Sequence, residues 1–280
     1  MKNINWSELG FGYFKTDYNV RCEYKDGKWG ELYATEDVNM NIHMASTCLH
    51  YGQEVFEGLK AFRGADGKVR LFRVEENAKR MINSGEYLKM AVPSVELFTK
   101  ACIEAVKLNA DYIPPYGSGA SLYLRPMLIG VGPQVGVKPS ADYLFAVFVT
   151  PVGPYYKDGF NCIKVIIHYD HDRAAPKGTG HVKVGGNYAA SLDSGEIAHQ
   201  KGFASVIFLD PATKQYIDEC SAANFFGIRD GKYITPDSHS VLPSITNKSL
   251  RQIAEDLGLK VEQRKVGVEE LPTFSEAGCC

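Results

Sequence analysis

Residues 178–191 read GTGHVKVGGNYAAS: a single lysine, Lys183, lies among Gly178, Gly180, Gly185 and Gly186, with Asn187 and Tyr188 just behind. A turn lysine placed only for solvation needs no such clearance. A lysine that must meet a flat ligand does, because Gly185 and Gly186 let the backbone come close. A lysine amine can also bond covalently to a carbonyl, and partial desolvation keeps neutral amine available. Spacing alone leaves both readings open, the solvated turn and the covalent site.

Around this stretch the chain has 280 residues, enough for two domains or one large α/β unit. At this size roughly three quarters of the unfolded surface can be buried, so no covalent staple is needed. The net charge of −2 gives neither a basic stripe for nucleic acid nor an acidic tail. The opening MKNINWSELGFGYF lacks the basic start and apolar run of a secretory signal. No apolar stretch approaches the ~18 residues that span a bilayer. Cys22, Cys48, Cys102, Cys162, Cys220, Cys279 and Cys280 match no zinc ribbon or CxxC pair, so reduced, mostly buried thiols in a cytoplasmic protein are expected, with no metal.

Two textures divide the chain into a smaller α+β domain over 1–150, a linker over 151–159 (PVGPYYKDG) and a larger domain over 160–280. In the first, Asp26-Gly27 signals a hairpin, and EVFEGLKAFRGADGKVRLFR reads as strand, turn, strand. A helix is expected near 74–88, with Val74, Ala78, Met81 and Ile82 on one face. A second follows Ser94 as N-cap, burying Phe98, Ala101, Cys102, Ala105 and Val106. SLYLRPMLIG and DYLFAVFVTP read as buried strands. In the second domain CIKVIIHYD, SVIFLD and QYIDEC read as strands, NFFGIRDGKYITP as a hairpin and 187–201 as one helix. A helix over 245–257 has Ser244 as N-cap, Leu250, Ile253, Ala254 and Leu257 on one face and Gly258 as its stop. The last stretch reads as a strand and a short helix, with no further element.

At KVGGNYAAS, YGQEVFEGLKAFR, SLYLRPMLIG, VTPVGPYY, IDECSAANFF and LPSITNKSL, in that family's order, the chain resembles the branched-chain amino acid aminotransferases, fold-type IV pyridoxal phosphate enzymes. The matches run from about Phe11 to Gly278. The resemblance implies an α/β enzyme: an α+β N-terminal domain, a pseudo-barrel C-terminal domain, and pyridoxal 5′-phosphate between them. It implies reversible transfer of an amino group between leucine, isoleucine or valine and 2-oxoglutarate.

The resemblance also assigns roles. Lys183 matches the lysine that holds the cofactor covalently and shuttles the proton at the substrate Cα. Glu219 matches the carboxylate facing the pyridine nitrogen, which an anion keeps protonated. Arg80 matches the phosphate arginine, and Ile245 and Thr246 open a helix whose N-terminus suits phosphate. Tyr188 corresponds to the tyrosine beside the phenolic oxygen, and Leu242 to the residue packed on the ring. Phe11, Tyr51, Phe56 and Tyr123 resemble the apolar wall for the substrate, and Arg125 the residue that accommodates the second carboxylate with Tyr123. Val135 and Val137 match a loop that reaches a neighbouring subunit's site, and Tyr51 is likewise expected to cross a dimer interface, so a homodimer or larger homo-oligomer is implied.

The family pattern continues past EAGCC with a Gly-Thr-Ala turn, further strands and a helix, so the chain is expected to be cut short and less active than an intact relative. D-amino acid transaminases and aminodeoxychorismate lyases share the fold and would keep Lys183 and Glu219. A non-catalytic protein of the same fold stays open too.

Overall fold

Asp26 and Gly27, both left-handed at φ 52° and 75°, close the expected two-residue hairpin between β1 (Asn19–Lys25) and β2 (Lys28–Trp29). After them come β3 (Tyr33–Thr35), α1 (Thr47–His50), β4 (Glu54–Phe56), β5 (Leu59–Arg63) and β6 (Val69–Leu71). Then follow α2 (Val74–Tyr87), α3 (Val95–Leu108), β7 (Ser121–Gly130) and β8 (Tyr143–Val152). These elements form one compact unit, Met1–Asn161; a second spans Cys162–Cys280. The computed structural model describes residues 2, 4–154 and 161–280. Of the expected linker, Pro151 and Val152 close β8, and 155–160 lie outside the described residues.

The first unit is one eight-stranded sheet in the order β2-β1-β8-β7-β5-β6, with β3 paired to β1 and β4 to β7. Alternation along β7 sends Leu122, Leu124 and Leu128 to one face, all fully buried. The helices cover that face: Phe98 of α3 stacks on Phe145 of β8 at 5.8 Å between ring centroids. The expected face of α3 is buried at every position, and Ser94 Oγ accepts the Leu97 N–H as N-cap. The opposite face carries Tyr123, Arg125 and Met127, whose registered neighbours are Thr150, Phe148 and Ala146 on β8, Phe56 on β4 and Lys60 on β5. This face holds three of the N-terminal unit's candidate substrate residues, Phe56, Tyr123 and Arg125.

The second unit contains β9 (Val165–His168), α4 (Gly185–Ala190), α5 (Leu192–Gln200), β10 (Ser205–Leu209), β11 (Ile217–Cys220), β12 (Phe225–Arg229), β13 (Lys232–Pro236), α6 (Ile245–Asp256), β14 (Lys260–Arg264) and β15 (Glu276–Cys279). Its strands make two sheets, β11-β10-β9 and β14-β13-β12-β15. Their apolar faces meet in a core of Ile207, Leu209, Ile217, Phe225, Ile234 and Val266.

Four expectations need correction. The helix expected over 187–201 is two helices, because the chain turns at Ser191 between α4 and α5. On α6, Ala254 is buried but Ile253 and Leu257 are 51% and 74% exposed; Asn247 and Ser249 face inward instead. Residues 276–279 are a strand, because β12 offers an open edge that Glu276–Cys279 pairs in antiparallel register. Finally, Cys220 and Cys279 form a disulfide rather than staying reduced. Pairing of β15 with β12 brings the ends of β11 and β15 to a Cα–Cα distance of 6.3 Å, within the bridging range. Of the remaining cysteines, Cys22 and Cys102 are buried, Cys48 and Cys280 half-buried and Cys162 exposed.

The bridge closes a loop of sequence separation 59. Chain-entropy arguments give such a loop about 4 kcal/mol. Cys279→Ser is expected to lower the urea-unfolding free energy of oxidised protein by about 2–4 kcal/mol. Under full reduction the variant and wild type should unfold together. Equal stability in the oxidised state would contradict the bridge.

Candidate active site

Lys183 is held by its neighbours in sequence. Val182 and Val184 are 0% and 5% exposed, so alternation turns the lysine away from the core they enter. The Asn187 side chain fastens the glycine-rich loop, donating to Thr179 O at 2.7 Å and Val182 O at 3.0 Å and accepting from Thr179 Oγ1 at 2.7 Å. From this support half-buried Lys183 donates through Nζ to Tyr188 Oη at 2.6 Å, with Nζ 4.9 Å from the ring centroid. The two residues singled out from GTGHVKVGGNYAAS therefore form one amine–phenol pair.

Glu219 lies near the end of β11 at 3% exposure. One carboxylate oxygen accepts the Leu242 N–H and lies 3.4 Å from Arg173 Nη2. Burial pushes its pKa up to about 7, against the opposing pull of Arg173. Its neighbour Asp218, also buried, is raised to about 6 by the same desolvation. Leu242 is held from its other side, since Asn224 Nδ2 donates to its carbonyl at 3.0 Å. Ile245 and Thr246 open α6 after Ser244, whose Oγ accepts the Asn247 N–H at 3.1 Å. The first N–H groups of a helix have no intrahelical acceptor and carry its positive dipole end.

In the N-terminal unit, Arg80 projects from α2 onto a carboxylate that sequence reasoning passed over. Glu57 is fully buried and accepts from Arg80 Nε and Nη2 at 2.7 Å each. Asn77, one turn earlier on α2, donates to the same carboxylate at 2.7 Å. The fork fixes the guanidinium plane. The visible signal was one acid inside the apolar run Val55, Phe56, Leu59, Ala61. Breaking a buried pair strands a charge, so Glu57→Ala should cost about 3–5 kcal/mol of stability. In a double-mutant cycle, Glu57→Ala combined with Arg80→Met should cost clearly less than the sum of the single changes. Additive losses would contradict the pairing.

The predicted substrate residues fall into two groups. On the sheet face, the Arg125 guanidinium lies 4.8 Å from the Phe56 ring centroid and donates to Tyr123 Oη at 3.1 Å. Phe11 packs edge-on against Tyr123 at 5.1 Å. A Cβ at Gly58 would collide with Tyr123 Oη, so the phenol needs that glycine. Lys60, the registered partner of Tyr123, adds a cation that motif reading did not single out. The second group is exposed: Tyr51 Oη donates to the carbonyl of Val135, and Val135 and Val137 are 80% and 88% accessible.

A family model described as amino-transferase class IV matches residues 54–280. The chain belongs to the class IV aminotransferases. This aminotransferase is 52% identical to the branched-chain-amino-acid aminotransferase of Haemophilus influenzae, over 100% of the chain and 83% of that protein. Its fold superposes on the Escherichia coli branched-chain amino acid aminotransferase with a TM-score of 0.78 at 28% identity, covering 95% of this chain and 83% of that one. The T.th. branched-chain amino acid aminotransferase complexed with N-(5′-phosphopyridoxyl)-L-glutamate gives 0.75 at 27% identity, with 96% and 83% covered. Both the fold class and the resemblance read from the motifs are thereby established. Among the described residues no helix of the aminotransferase is long and apolar enough to cross a membrane.

Proposed function

We propose that this aminotransferase exchanges the amino group of L-leucine, L-isoleucine or L-valine with 2-oxoglutarate, using pyridoxal 5′-phosphate. The observation that carries the reading is the Lys183–Tyr188 pair within a unit that also buries the Glu219 carboxylate. That donor set fits the cofactor: an amine for its carbonyl and an anion for its ring nitrogen. Arg80 in the N-terminal unit is a cation, and the N–H groups of Ile245 and Thr246 in the C-terminal unit are dipolar donors, each of a kind that suits a phosphate. When bound, the cofactor supplies a carbonyl that bonds amines and a ring that draws electron density from the substrate Cα.

The chain's own groups do the rest. With the cofactor bound, Lys183 Nζ would be the base that takes and holds the proton of the substrate Cα. Tyr188 Oη accepts from Nζ and holds the amine in place between transfers. Glu219 would offer its carboxylate to a protonated ring nitrogen, and Leu242, whose N–H holds Glu219, would give the ring an apolar neighbour. Phe56, Tyr123 and Phe11 give an aliphatic side chain an apolar wall, and Arg125 on the same face receives a second carboxylate. One face with both chemistries suits the two half-reactions, which proceed in ping-pong order.

The finer assignments are part of the proposal. A homodimer is supported by the exposed Val135–Val137 loop joined to Tyr51, an apolar surface that suits a second copy. A cytoplasmic setting is supported by five unpaired cysteines. In such a reducing compartment the Cys220–Cys279 bond would form only transiently. The test is an assay of purified protein with added cofactor. Turnover of L-leucine with 2-oxoglutarate, well above that of D-alanine and without pyruvate release, is expected. D-alanine preference would make it a D-amino acid transaminase, and pyruvate from aminodeoxychorismate a lyase.

A further inference from the structure

Arg173 is a buried cation beside Glu219 in the C-terminal unit's candidate site. It is 8% exposed. Its Nη2 donates to Gly180 O at 2.9 Å and to Ser240 O, and lies 3.4 Å from Glu219 Oε1. These three acceptors belong to three separate segments. Gly180 is three residues before Lys183, Ser240 is two before Leu242, and Glu219 lies near the end of β11. Two of the segments also touch directly: a Cβ at Gly180 would collide with the Ser240 backbone, closer than any side chain tolerates. Both backbone carbonyls are buried acceptors that need a donor, and Arg173 serves the two at once.

We propose that Arg173 is a positioning residue that ties the Lys183 loop, the Leu242 loop and the Glu219 carboxylate into one arrangement and opposes protonation of Glu219 there. The proposal rests on the reading of Glu219 as the partner of the cofactor's ring nitrogen. Arginine suits the task because it never loses its charge and its planar fork fixes direction. Lysine would keep the charge and lose the planar fork; glutamine would keep donor capacity and lose the charge. The groups whose charges act on Glu219 are Arg173 and Lys183, which favour the carboxylate, and Asp218, which opposes it. The Glu219 charge helps burial push the thiol of half-buried Cys280 up to about 11, so that thiol is neutral where Glu219 titrates. Arg173 is the cation closest to Glu219 Oε1 among the described ion pairs, so its removal leaves only the Leu242 N–H and Lys183 to oppose burial and Asp218, and favours the protonated acid.

The experiment compares holoenzymes of wild type, Arg173→Gln, Arg173→Lys, Arg173→Ala and Glu219→Gln in leucine–2-oxoglutarate turnover across pH. It also compares cofactor-free wild type and Arg173→Gln in urea unfolding across pH, where the Glu219-linked loss of stability should move to higher pH in the variant and an unmoved loss would overturn the proposal. For Arg173→Gln the expected result is kcat lowered about 10- to 100-fold, with the acidic limb of the profile moved up by about one pH unit. Arg173→Lys should keep the wild-type limb and lose less rate. Added guanidinium ion should restore part of the activity of Arg173→Ala. In a Glu219→Gln background, Arg173→Gln should move no limb at all. An unmoved limb in Arg173→Gln, or a limb that moves equally without Glu219, would overturn the proposal. If Arg173→Gln does not fold, the lysine variant and guanidinium rescue decide: no rescue together with a shifted limb in Arg173→Lys overturns it. Wild-type rates in Glu219→Gln would instead overturn the assigned role of Glu219, a separate result.

Discussion

Lys183→Ala is expected to lower leucine transamination by at least about 10³-fold, since it removes both the covalent anchor and the group that moves the Cα proton. The protein itself should survive the change. Lys183 is half-buried, it donates to Tyr188, and the loop is held by Val182, Val184 and Asn187. Circular dichroism and the melting temperature should therefore stay near wild type while activity is lost. Added small amines should return a little of the proton transfer and none of the covalent hold. Full activity in Lys183→Ala would remove the basis of the mechanism.

Glu219→Gln should lower kcat by about 10²–10³-fold, the scale of removing one buried electrostatic stabiliser. It should also change how stability depends on pH. In the cofactor-free protein, burial raises the Glu219 pKa from its ordinary 4.5 to about 7. Folding thus favours the protonated acid. That contribution is present below about pH 4.5 and is lost as pH rises through about 7. Glutamine never ionises, so the variant lacks this loss. The stability of wild type relative to Glu219→Gln should fall by on the order of 2–3 kcal/mol between pH 4.5 and pH 8. Urea titrations at both pH values measure it, and a constant difference would contradict the burial of the charge.

Local patterns were readable where local physics decides. The buried face of α3 and its Ser94 cap follow from 3.6-residue periodicity and one hydroxyl. The Asp26-Gly27 hairpin follows from two residues that accept positive φ. Periodicity misplaced the buried face of α6 because that face is polar. Asn247 sits inside, donating to Asn224 Oδ1 at 3.0 Å and Thr235 Oγ1 at 2.8 Å and accepting from Tyr233 Oη at 2.9 Å. An apolar count cannot see a satisfied polar network.

The same reason hid the supporting residues of the site. Lys183 and Tyr188 are close neighbours in sequence, so their pairing was close to legible. Glu57 meets Arg80 across 23 positions, and Cys220 meets Cys279 across 59. Arg173 meets Ser240 across 67. Such pairings depend on which strands and loops become neighbours. Motif order singled out Arg80, Lys183 and Glu219 as individual candidates, but the groups that hold Arg80 and Glu219 in place emerged only from the fold.

The central claim is that Lys183 is the amine that bonds the cofactor. The most direct measurement is borohydride reduction of the protein with pyridoxal 5′-phosphate, followed by peptide mapping by mass spectrometry. The expected result is a single phosphopyridoxyl adduct on the peptide containing Lys183, prevented by prior incubation with L-leucine. An adduct on another lysine, such as Lys60, with Lys183 unmodified, would contradict it.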